Sequence, residues 1–226
     1  LSESPSASPL TLTQLPLFPL QTVLFPGGWM PLRIFEVRYL DMISRCHKAG
    51  APFGVVCLHE GSEVRRIDPD APPGGDGFAH EAFFPAGTLA RIEQLERPQP
   101  GLMVIHCRGL QRFHVTASRQ LPHGLWVGDV VLDEPEAVVP VPPDLASTRD
   151  ALQRLLHNLQ EREPEGVNEL PLQPPYQWDD SGWVANRWAE FLPAPAELKH
   201  RLMTLDNPLL RLELISDLLD KLGVER

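Results

Sequence analysis

From residue 11 to residue 133 the apolar positions fall in short runs, several of them alternating, broken by Gly and Pro. Beyond residue 144 they recur every third or fourth position. Alternation marks strands with one buried face, and the longer spacing marks amphipathic helices. In 11–20, Leu12, Leu15, Leu17 and Leu20 stand among polar residues and prolines. Pro16 and Pro19 cannot donate to a ladder, so this segment is expected at a sheet edge or as an irregular strand. FPGG at 25–28 reads as a turn, and 29–34 as a second short strand. A helix is expected over 36–49, with Val37, Leu40, Ile43 and His47 as its buried stripe. Gly50 and then Pro52 stop it. FGVVCL at 53–58 reads as a buried strand. Residues 60–82, rich in Gly, Pro and Asp, have no period and form a long loop. Strands are expected at 87–95, 102–110, 112–119 and 125–133, the second and third joined through Gly109. Such runs with turn residues between them predict a small antiparallel barrel or sandwich.

The VVPVPP run at 138–143 is a stiff break, after which strand signals cease. A helix over 144–162 carries Leu145, Leu152, Leu155, Leu156 and Leu159 on one face. A second, over 181–192, carries Val184, Trp188, Phe191 and Leu192, and Asp180 suits the positive end of its dipole. A third spans 196–205. The last begins with Asn207 as cap and Pro208 in its first turn, where a missing N–H does no harm. Short connections favour a small bundle. The chain therefore divides into a flexible Ser/Pro tail (1–10), a β-rich part (11–136), a Pro-rich linker (137–143) and a helical part (144–226). That is an α+β layout.

The 226 residues carry a formal charge of −10, which disfavours nucleic acid and anionic membrane as main partners. Pro is abundant at 25 residues, which implies short elements and fixed turns. Three cysteines, Cys46, Cys57 and Cys107, do not make a disulfide framework and fit a reducing cytoplasm. No apolar run approaches the roughly 20 residues that span a bilayer, and the N-terminus has no signal-peptide pattern.

The search for chemistry returns little. Lys48, Lys199 and Lys221 do not follow a Gly-rich turn, so no phosphate-cradling loop is present. There is no Gly-x-Ser-x-Gly elbow. No catalytic residue and no cofactor is expected. Cys57, His59 and His106 are the residues that would make a metal site if their strands met, but none of the Cys/His pairs has the gap usual in zinc knuckles. Buried structural cysteines with half-exposed histidines are the better expectation, so no metal is assigned. Trp126 and Trp188 are expected in cores. Trp29 follows Gly27-Gly28 and sits on a turn, where a core place is less assured.

One stretch stands apart. Residues 15–39, LPLFPLQTVLFPGGWMPLRIFEVRY, are nearly free of charge until Arg33. With the following LDMI, this run resembles the opening of the Lon N-terminal domain, the substrate-binding part of Lon-type ATP-dependent proteases. FGVV at 53–56, GTLARI at 87–92, GLQRFHV at 109–115, VANRWAEFLP at 184–193 and LDNPLLRLELI at 205–215 continue the likeness. The resemblance implies a PUA-like pseudo-barrel followed by a helical bundle, and binding of unfolded or exposed protein segments. The sequence ends at Arg226 with no ATPase module and no Ser–Lys protease domain. It thus resembles a stand-alone Lon-domain protein, and proteolysis is not carried over.

The leading expectation is a non-enzymatic protein- or peptide-binding module, in the cytoplasm, with an ATP-dependent protease as a conceivable companion. Phe25, Trp29 and Met30 are the candidate contacts, beside an exposed strand edge. Arg33 and Glu36 join them, although an ion pair between strand and helix explains those two as well. The alternatives are an RNA-binding PUA-like module and a metal-dependent enzyme of unrecognised chemistry. Leu15, Leu17, Phe18, Leu20, Val23 and Leu24 are expected to build the β core.

Overall fold

The short apolar runs become six strands: β1 (Thr11–Leu20), β2 (Trp29–Ile34), β3 (Phe53–Glu60), β4 (Ala82–Gln99), β5 (Leu102–Gln120) and β6 (Trp126–Leu132). The computed structural model describes residues 10–64, 67, 78–162, 170 and 172–224. The expected tail, apart from Leu10, lies outside these residues, as do 65–66 and 68–77 of the expected loop. The sheet order is β2-β5-β4-β3-β1-β6, and β5 also pairs with β6. Five strands therefore close on themselves, and closure removes exposed edges from the barrel. β1 and β3 run parallel, and the other pairs are antiparallel.

Of the two places its prolines allow, β1 takes the irregular strand and not the sheet edge. It lies between β3 and β6. The register shifts between Leu12 and Leu15, where Gln14 has φ 53°. The N–H of Gln14 leaves the ladder for the Asp129 carboxylate, 2.9 Å away. One irregular residue thus lets a proline-bearing strand stay inside the sheet. Leu15, Leu17, Phe18, Leu20, Val23 and Leu24 are all buried, as expected.

β5 is one strand of 19 residues, not two joined at Gly109. Its second half closes the barrel against β6, while its first half runs on past the barrel between β4 and β2. Helix α1 (Val37–Ala49) packs on this extension, with Tyr39, Met42, Ile43 and Cys46 meeting Ile34, Met103, Ile105 and Cys107. Of the expected stripe, Ile43 is buried and Leu40 packs on this core, but Val37 is 76% exposed and His47 is exposed. The buried set 39, 42, 43, 46 keeps the same helical period on the neighbouring face. Gly50 ends the helix in the left-handed region at φ 62°.

A short turn at Pro143–Leu145 leads into helices α2 (Ala146–Arg162), α3 (Ser181–Phe191), α4 (Ala196–Met203) and α5 (Pro208–Lys221). Asp180 and Asn207 cap α3 and α5, accepting from Gly182 N–H and Leu210 N–H. α3 is buried from Ser181 to Ala189 and not along a single stripe. It is the central helix, and of its buried polar residues Ser181 donates to Pro140 O while Asn186 and Arg187 join the networks described below. Residues 139–141 lie against the start of α3, with Ser181 N–H to Val139 O and Val141 N–H to Asp179 O. A single apolar cluster joins Val23, Phe25 and Cys57 of the β part to Leu152, Trp183, Trp188 and Leu212 of the helices. The helices are thus packed onto the barrel through a shared core.

Candidate functional site

The turn before β2 is a joint. Gly27 N–H donates to Gly109 O at 2.8 Å, and Gly109 N–H donates to Gly28 O at 2.9 Å. Arg187 of α3 reaches down to donate to Pro26 O at 3.0 Å and pairs with Glu190 at 2.8 Å. Burial pushes the Glu190 carboxyl up, while the Arg187 guanidinium beside it opposes that shift. Arg108 donates to Gly27 O at 3.5 Å and to Pro174 O at 2.9 Å. Phe25 is 0% exposed and lies in the core shared with the helices. The expectation that Phe25 faces a partner is therefore corrected: its ring completes the core between barrel and bundle, while Pro26 and Gly27 stay half-buried.

Trp29 begins β2 and is half-buried. It stacks on His106 at 5.5 Å, and the Arg108 guanidinium sits 5.1 Å from its ring centre. This ladder of Arg, Trp and His ties β2 to β5. Met30 is half-buried against the α1 core, and Arg33 is exposed. Glu36 stands at the start of α1, but its carboxylate meets Arg38 at 3.2 Å and not Arg33. Arg38 also donates to Gly124 O at 2.8 Å and to Glu81 at 3.3 Å. Glu81 in turn accepts from Trp126 Nε1 at 2.8 Å. Of the five expected contacts, Met30, Arg33 and Glu36 line up along β2 and its exit. Phe25 and Trp29 serve the framework.

β2 pairs only with β5 among the described residues, so its other side is a free edge. The bond from Gly109 N–H to Gly28 O sets the parity of the ladder. Groups facing a neighbour alternate along an antiparallel strand, so Trp29, Pro31 and Arg33 turn their backbone toward the free side. Pro31 lies where its missing N–H costs the ladder nothing, the usual place for proline in an edge strand. The second edge of the extension, residues 91–99 of β4, reads RIEQLERPQ and is protected by charge. The β2 edge has no such run.

Beside β2 runs a groove of about 240 Å³, walled by Phe18, Leu20, Leu32, Arg33, Phe35 and Val64 among others. Phe35 is 55% exposed and Val64 42%. Neither residue was expected here from the sequence. Phe35 precedes the first helical turn, where an apolar residue ordinarily staples to the helix, so its pattern pointed inward. Val64 lies beyond the last periodic strand residue, with no pattern to mark it.

The possible metal ligands stand apart. Cys57 is buried in the core shared with the helices, His59 lies against the Phe84 ring at 5.0 Å, and His106 lies under Trp29. Among the described residues no three His, Cys, Asp or Glu side chains converge to hold a metal ion. Burial pushes the Cys57 thiol up to about 11 and the Cys107 thiol up to about 12, with a small addition from Glu197 and Glu93 respectively. Both are therefore protonated at neutral pH and poor nucleophiles. A further cleft of about 300 Å³ separates the barrel from the helices. Its arginines are already engaged, Arg211 with Glu136 and Asn186, and Arg112 with Asp133 and Asp206. No described helix is long and apolar enough to cross a membrane.

The substrate-binding domain of ATP-dependent protease La (LON) matches the chain over residues 14–221. The chain belongs to this Lon substrate-binding family. A Lon N-terminal domain protein from Xanthomonas campestris has a similar solved structure, at 32% identity and a TM-score of 0.61. That likeness covers 91% of this chain and 98% of the other. The N-terminal domain of the Mycobacterium avium complex Lon protease shares the fold at 22% identity and a TM-score of 0.50, over 90% of this chain and 96% of that one. No curated protein matches the chain. In this member of the Lon family, the one strand edge flanked by exposed apolar side chains among the described residues is that of β2.

Proposed function

We propose that this Lon-family chain binds exposed or unfolded protein segments without transforming them, at the β2 edge and its groove. The observation that carries the reading is the coincidence of three features at one place. The edge offers unpaired backbone groups at Trp29, Pro31 and Arg33, Phe35 and Val64 are exposed beside it, and an apolar groove lies between. An extended chain adds as a strand to such an edge, its backbone giving affinity and its alternate side chains filling the groove. Apolar side chains held out in water next to a groove are the ordinary mark of an interaction site. Family membership supports substrate binding as the general task, and the protonated thiols speak against a cysteine nucleophile.

The test is binding of a reduced and alkylated, permanently unfolded protein, comparing wild type with Phe35→Ser plus Val64→Ser. Loss of two half-exposed apolar contacts is expected to weaken binding about tenfold, each removing roughly 0.7 kcal/mol of burial. Thermal stability should hardly move, because both residues are on the surface. Equal binding by the two proteins would remove the groove from the account.

A further inference from the structure

Three charged side chains wall the β2 groove: Arg33, Glu36 and Glu63. Two of them are engaged. Glu36 is held by Arg38 at 3.2 Å, and Glu63 accepts from Gln21 N–H at 2.6 Å. Arg33 is exposed and has no ion pair or hydrogen bond with any described residue. Among the described residues, the Glu63 carboxylate is held by a neutral N–H, and the one charged side chain of the groove with no partner is therefore the Arg33 guanidinium. It belongs to a residue whose backbone N–H and C=O face the free edge, so an added strand passes directly beside it.

We propose that the groove selects apolar extended segments that carry one acidic side chain placed to meet Arg33. This rests on the reading that the groove takes extended protein segments. A guanidinium presents a planar fork of donors that matches a carboxylate with two parallel bonds. The selection is local. The chain as a whole carries −10 and repels acidic partners at long range, so a single matched carboxylate is favoured and an acidic run is not. Apolar walls supply most of the affinity, and Arg33 fixes where along the segment the strand registers.

The experiment is fluorescence anisotropy with short labelled peptides of alternating apolar residues. One position carries Asp, Asn or Lys and is moved along the peptide. Wild type should prefer Asp over Asn about threefold at one position only, the size expected of a partly exposed charge pair. The preference should shrink when salt is raised from 50 to 300 mM, because the shorter Debye length screens it. Arg33→Gln should abolish it, and Arg33→Glu should turn it toward Lys. Both variants alter an exposed, unpaired side chain, and their melting temperatures check that the fold is intact. Peptides that bind wild type with no preference among Asp, Asn and Lys would overturn this inference alone. A preference that survives Arg33→Glu would do the same. Failure of every peptide to bind would overturn the groove reading and this inference with it.

Discussion

A methyl group on Gly109 would fall on the carbonyl oxygen of Phe25, which is backbone and cannot step aside. The same residue exchanges hydrogen bonds with Gly27 and Gly28, so one absent side chain lets β5 grip the turn. Gly109→Ala should therefore destabilise the fold by about 3 kcal/mol, the upper end for overpacking. The check is a lower urea midpoint at unchanged slope. The sequence offered Gly109 as a break between strands, because a glycine in a strand pattern signals either a turn or a close approach. Nothing local separates the two. Phe25 and Phe35 teach the same point. Both follow apolar runs, yet Phe25 is sealed by α3 and Phe35 is left in water. The contact that holds the turn after Phe25 under α3 comes from Arg187, 161 residues beyond Pro26, whose carbonyl it binds.

Elements were more legible than their neighbours. Strand and helix periods located β3, β6, α1 and α2–α5, and the caps of α3 and α5 were readable at Asp180 and Asn207. The place of β1 inside the barrel was not, since Pro16 and Pro19 argue for an edge and the compensating bulge at Gln14 has no sequence signature. α4 docks on the barrel through His200, whose ring stacks on Phe84 at 4.3 Å and whose Nε2 meets Ala86 O at 3.2 Å. Burial pulls the His200 pKa below 6.5, against the bond to Ala86, and His114 nearby adds to the lowering. The unfolded chain thus takes up this proton first as pH falls. Stability from this contact is present above about pH 6.5 and is lost below it. Urea midpoints measured from pH 7.5 to 5 should fall on the acid side, and His200→Gln should flatten that fall. An identical slope in both proteins would show that α4 does not respond to this histidine.

At the scale of the whole molecule, the order of strands before helices announced an α+β fold, because, apart from the helix at 36–49, the hydrophobic period changes from strand to helix near residue 138. How the helices sit on the barrel had no such announcement. Their union depends on a shared apolar core and on two arginines buried with acidic partners, Arg187 with Glu190 and Arg211 with Glu136. That packing is what buries Phe25, and among the described residues the next strand, β2, is left with a free edge. Of the expected contacts Phe25 is lost to the core, while Phe35 and Val64 stand exposed beside the strand edge that was already expected there. An unfolded segment that adds to this edge must cover its outward backbone groups. Amide hydrogen exchange read residue by residue tests it most directly. In the free protein the outward N–H groups of Trp29 and Arg33 should exchange quickly, while those of Met30, Leu32 and Ile34, facing β5, should be protected. A saturating apolar peptide should slow Trp29 and Arg33 by at least about tenfold and leave the cleft residues Asn186 and Gln111 unchanged. Protection appearing in that cleft, with Trp29 and Arg33 still fast, would contradict the account.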